Sequence, residues 1–156
     1  MNTLRNESLA AAVVQVLERM AFLLAEPANA TDVDAQARRH ARVVFRGPGE
    51  TGELLLSADD GFVCDVAAGL LGVDPSDVDA GSDGVEALVE LANVIGGEVL
   101  RLLGAAEVEF QLGLPAAVEP TSAAAVSSGT PSDADLACVI AGENGRLRID
   151  LRRRPA

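Results

Sequence analysis

Residues 82–103 constrain this chain more than any other stretch. Over Ser82 to Leu103 the apolar residues Val85, Leu88, Ala92, Ile95, Val99 and Leu102 recur at three- and four-residue steps. That spacing gathers them on one side of a helix turning about 100° per residue. Glu86, Glu90, Asn93 and Gly97 fall together on the opposite side. A solvated helix face normally mixes Lys, Arg, Glu and Gln; this one carries two carboxylates, an amide and a glycine. Asn is a poor residue for a helix interior, because its short amide competes for backbone hydrogen bonds. Each glycine inside a helix costs about 0.8–1 kcal/mol relative to Ala. Gly96 lies at the edge of the buried side, where close packing would account for it, whereas packing within the monomer does not account for Gly97. For Glu86 a plain structural reading competes: Asp83 as N-cap with Glu86 three residues on is an acidic form of the capping box. For Glu90 and Asn93 this reasoning alone favours a solvated face at least as much as a site.

The rest of the chain supplies something for this helix to pack on. A first helix is expected over residues 4–25, with Leu9, Val13, Val16, Leu17, Met20, Leu23 and Leu24 as its stripe and Pro27 ending it. Residues 27–40, small and polar, read as a loop or an irregular connection. Residues 42–46 and 53–57 are short β-prone runs on either side of a Gly/Pro turn, a hairpin or a pair of neighbouring strands. Asp59 and Asp60 open a second helix running to Leu71, and Gly72 caps it. An acidic connector, 74–83, leads into the long helix. Strands follow at 107–112, 134–141 and 146–151, and Asn144-Gly145 closes the last hairpin by tolerating positive φ. Residues 113–133, rich in Pro, Ser and Ala, read as an exposed excursion and residues 152–156 as a tail, all within a single domain spanning 1–156.

Helix, loop, strand, Gly-rich turn, strand occurs twice, over 4–57 and over 82–151 with an extra strand. Such an echo is either an internal α-β-β duplication or a coincidence of short turns. In either case an α+β fold is expected, with long helices packed on a mixed, largely antiparallel sheet.

Charge and composition close off several functions. The net charge of −12 at pH 7 argues against a nucleic-acid partner, because the basic side chains that would neutralise phosphates are outnumbered. Arg152-Arg153-Arg154 reads as a solvated tail. No apolar run approaches the ~20 residues of a membrane span, and the first residues lack a signal-peptide pattern, so a cytoplasmic protein is expected. Cys64 and Cys138 read as small core residues with free thiols, a disulfide between them staying open. His40 has no ligand or nucleophile at motif spacing, and residues 74–81 offer no register of a calcium loop. No metal site is expected.

Glu86-x-x-x-Glu90-x-x-Asn93 followed by Ile95-Gly96 resembles the signature helix of the CheC/CheX/FliY chemotaxis phosphatases, and of CheX-like domains in particular. Leu17-Glu18-Arg19-Met20-Ala21-Phe22 is similar to the corresponding segment of those domains, and the order of elements agrees from about residue 4 to 151. The resemblance implies a phosphatase acting on the phospho-aspartate of a CheY-like response regulator. Asn93 would orient the attacking water and Glu90 would contact the regulator through its phosphate-site lysine; both positions match the motif in full. Glu86 stands where the family more usually has Asp or Ser, which leaves its role as a partner contact open, and Gly97 would give the partner clearance. No cofactor of its own is implied; Mg²⁺ and a lysine belong to the regulator. Glu26-Pro27-Ala28-Asn29 also fits Glu-x-x-Asn, but Pro27 takes it out of the helix, so one site is expected. Pairing into a homodimer is compatible with the family. The alternative is a catalytically silent CheX-like domain that binds a regulator or scaffold.

Overall fold

The computed structural model describes residues 4–28, 39–104, 109–119 and 136–155. Its helices are α1 (Asn6–Ala21), α2 (Asp60–Leu71) and α3 (Val85–Leu102); its strands are β1 (Glu26–Ala28), β2 (Arg39–Gly47), β3 (Glu50–Ala58), β4 (Gln111–Leu112), β5 (Ala116–Val118), β6 (Leu136–Ala141) and β7 (Arg146–Pro155). The seven strands make one sheet in the order β1-β6-β7-β3-β2-β4, with β5 also on β2, and every described pairing is antiparallel.

This order has the two-fold character of the repeated sequence pattern. The hairpins β2-β3 and β6-β7 meet at the centre through β3 and β7. The strand following α1 adds to the second hairpin, and the strands following α3 add to the first. The helices follow suit: α1 lies against β6 and α3 against β2. Alternation in the central strands turns Val43, Phe45, Leu54, Leu56, Ile140, Leu147, Ile149 and Leu151 towards the helices, where they are buried with Leu9, Leu17, Phe62, Leu88, Leu91 and Ile95. Each such side chain contributes about 1.5–3 kcal/mol by leaving water.

Four local expectations are corrected. The first helix stops at Phe22, which takes the left-handed conformation (φ 53°) while the Leu23 N–H donates to Leu17 O at 3.2 Å. Pro27 lies beyond that stop, in β1, paired with Ile140. The stretch assigned to an excursion contributes β5, hydrogen-bonded to β2 at Ala116–Val118; residues 120–133 lie outside the described ones. Arg152–Arg154 are not a solvated tail but continue β7, opposite Glu53, Gly52 and Thr51 of β3. An extended neighbour with free backbone groups carries the strand on where sequence polarity suggested an end.

The last hairpin is the fourth. Neither Asn144 nor Gly145 has positive φ. The turn is shaped instead by α2: Asp59, the N-cap, accepts from the Phe62 N–H at 2.9 Å and from the Arg146 N–H at 3.1 Å. A Cβ on Gly145 would collide with that Asp59 carboxylate, so glycine is required by close approach. Gly49 and Gly72 do take positive φ, at the first hairpin and at the end of α2, as their positions predict.

Candidate functional site on α3

The row on α3 is where its period places it. Glu86, Glu90, Asn93 and Gly97 are all exposed, while Leu88, Leu91, Ala92, Ile95, Gly96 and Val99 are buried behind them. At 1.5 Å per residue the row runs about 16 Å along the helix. Neither Glu86, Glu90 nor Asn93 makes a side-chain hydrogen bond or ion pair with the other described residues. The basic residue of the last turn, Arg101, is occupied by Glu98 through a 2.6 Å contact, and that hydrogen bond holds the Glu98 carboxyl below the usual range. The row therefore presents two carboxylates and an amide with their hydrogen-bonding capacity unspent.

The start of α3 decides the role of Glu86. A wide turn, Ala80–Gly84, precedes the helix and Gly84 is already helical, so the cap lies earlier than the capping-box reading places it. Asp83 turns back and accepts from the Asp79 N–H at 3.0 Å, Ser82 Oγ donates to Asp79 Oδ2 at 2.8 Å, and the Gly84 N–H donates to Asp79 O at 2.9 Å. With these first amides satisfied at Asp79–Gly84, Glu86 is not needed as a cap and its carboxylate projects into solvent with Glu90. A Cβ on Gly84 would meet Val63 of α2, and that close approach seats this end of the helix.

The two glycines of α3 differ. A Cβ on Gly96 would come within 3.0 Å of Leu112 Cδ1 and 3.2 Å of Val43 Cγ1, so its absence lets the helix sit close on β2 and β4. A Cβ on Gly97 would meet nothing within 4 Å. Gly97 is thus bare towards solvent, one turn beyond Asn93. Glu26–Ala28 forms β1, which puts the second Glu-x-x-Asn off any helix; Asn29 lies outside the described residues. Among the described residues no group of three or more His, Cys, Asp or Glu side chains could hold a metal ion, and no helix is long and apolar enough to cross a membrane. Both cysteines are free.

An exposed amide flanked by unpaired carboxylates cannot by itself activate a nucleophile, but it can orient a water or a partner's group, since one amide both donates and accepts. A match to the family described as chemotaxis phosphatase CheX spans residues 40–134, well over half of the chain and all of α3. The chain belongs to this family. Its fold agrees with that of other CheX proteins. The CheX protein of Vibrio vulnificus is 17% identical with a TM-score of 0.71, the match covering 94% of this chain and 93% of that one. The CheX protein of Desulfovibrio desulfuricans is 19% identical with a TM-score of 0.65, covering 94% and 96%. The CheX–CheY–BeF3–Mg²⁺ complex from Borrelia burgdorferi matches at 17% identity and a TM-score of 0.64, covering 95% and 96%. At such identities these likenesses establish the fold. No match was found among curated proteins. As a CheX-family chain it carries its polar row on the helix α3 that the family match includes.

Proposed function

We propose that this chain accelerates hydrolysis of the phospho-aspartate of a CheY-like response regulator, with Asn93 orienting the attacking water. The observation that carries the reading is the state of Asn93: exposed at mid-helix, unpartnered among the described residues, and followed one turn on by bare Gly97. Membership of the CheX family supports it, as does the fold shared with a CheX solved in complex with CheY, BeF3 and Mg²⁺.

An acyl phosphate needs little from a second protein. Its hydrolysis requires a water held in line with the leaving oxygen and neutralisation of charge on the phosphoryl group. A receiver domain brings Mg²⁺ and a lysine for the charge, so this chain supplies no cofactor of its own. The Asn93 side chain enters the receiver's site and fixes the water through its carbonyl oxygen or NH₂. Glu90, unpaired here, meets the partner's lysine. Glu86 extends the same acidic edge, and the bare Gly97 lets the partner's backbone approach.

The test is the decay of a phosphorylated CheY-like receiver with and without the protein. Acceleration that needs the receiver's Mg²⁺ and is lost in Asn93→Ala supports the proposal. Binding to the phosphorylated receiver with unchanged decay identifies instead a silent interaction domain.

A further inference from the structure

The sheet face turned away from the helices is charged oppositely to the chain as a whole. Alternation along β2 and β7 sends Arg42, Val44 and Arg46, and then Arg152 and Arg154, to this outer face, with Glu53 of β3 between them. In register, Arg46 faces Thr51 and Thr51 faces Arg154, while Val44 faces Glu53 and Glu53 faces Arg152. These residues line one open cleft of ≈ 550 Å³, walled on the far side by Gln111 and Leu112.

Four guanidinium groups against one carboxylate is a marked concentration in a chain of net charge −12. Arg42 is held by Glu53 at 3.3 Å. Arg46, Arg152 and Arg154 make no side-chain hydrogen bond or ion pair with the described residues, and Arg152 Nε and Glu53 Oε1 are buried without a hydrogen-bond partner. Outward strand positions are commonly charged, but cross-strand neighbours then usually alternate in sign. The row Arg46–Thr51–Arg154 has no acid in it.

We propose that this cleft binds a small anion bearing two or more linked phosphate groups. Guanidinium forks suit phosphate oxygens, which they bind in paired hydrogen bonds. Arg46 and Arg154 stand two strand spacings apart, about 10 Å, and Arg152 and Arg154 about 7 Å apart along β7. Two of these side chains can close on one phosphate, but four guanidinium forks along the cleft offer more donors than one phosphate engages, and a chain of two or three matches them. The aromatic residue in the lining, Phe45, is only 4% exposed, so the cleft has no ring on which a base could stack, and the phosphate chain is what it recognises. The cleft and α3 are on opposite faces of the sheet, and this site is independent of the phosphatase proposal.

The experiment is calorimetric titration of the whole chain with inorganic tripolyphosphate, with orthophosphate as comparator. Expected are one saturable site for tripolyphosphate, at least about tenfold tighter than orthophosphate, weakening with salt and losing about tenfold in Arg46→Gln and in Arg154→Gln. Both residues are exposed, so these variants keep the fold, which circular dichroism verifies. Arg101→Gln on α3 should bind as the parent does. Absence of saturable binding at millimolar tripolyphosphate, equal affinity for orthophosphate, or an equal loss in Arg101→Gln would overturn the proposal.

Discussion

Gly96 and Gly97 are adjacent in α3 and have opposite surroundings: a Cβ on the first would lie 3.0 Å from Leu112, and a Cβ on the second would meet nothing. Gly97→Ala should therefore stabilise the protein by up to about 0.8–1 kcal/mol, the helix-propensity difference. Gly96→Leu should destabilise it by about 1–3 kcal/mol, since Val43 and Leu112 leave no room for it. Urea denaturation of the two variants measures both. If the Gly97 position serves partner clearance, Gly97→Leu will leave the fold intact and weaken receiver binding.

Asp65, 7% exposed on α2, accepts from the Asn144 N–H at 3.2 Å and from Asn144 Nδ2 at 2.8 Å. Asn144→Ala removes the shorter bond and leaves a buried carboxylate oxygen unsatisfied. A loss of about 1–3 kcal/mol is expected in chemical denaturation.

His40 Nδ1 lies 2.9 Å from Ser57 Oγ, and burial lowers the His40 pKa below its ordinary 6.5. The folded chain then binds a proton at His40 less readily than the unfolded chain. The neutral form's contribution is fully present above about pH 6.5 and is lost as the pH falls below it towards the folded pKa. His40→Gln should flatten that part of the stability profile between pH 7 and 5, read from thermal unfolding.

Burial, with Asp150 adding to it, pushes the Cys138 thiol up to about 12, and burial followed by Asp60, Asp65 and Asp79 raises Cys64. Neither is a ready thiolate at pH 8. Ellman's reagent should react slowly with Cys64, which is half-buried, and with Cys138 only on unfolding.

What could be read in advance followed from periodicity and from turn residues. The apolar spacing from Val85 to Leu102 fixes α3 and therefore the exposure of Asn93. The first hairpin and the Gly72 cap follow from Gly and Pro positions, whereas in the last hairpin Gly145 is set by its close approach to Asp59. What escaped was set by partners distant in sequence. Strands β1, β4 and β5 are two or three residues long and too short to show a period. Phe22 ends α1 where Gly or Pro would have signalled it. The arginine run at 152–154 reads as a tail until β3 is beside it, and the Arg42/Arg46 and Arg152/Arg154 pairs meet only through the register of three strands. The shift of the cap from Asp83 to Asp79 is local, but it rests on a wide turn that no capping pattern describes. Whether Asn93 acts chemically is a question of a second molecule.

The central measurement is therefore the dephosphorylation rate of a CheY-like receiver at saturating concentrations of this protein and of Asn93→Ala, with binding of both measured separately. The account predicts that Asn93→Ala binds the phosphorylated receiver within about threefold of the parent yet loses about 100-fold or more in the accelerated rate, as when a single positioned group is removed from a transition state. An Asn93→Ala variant that binds and dephosphorylates as well as the parent would contradict it.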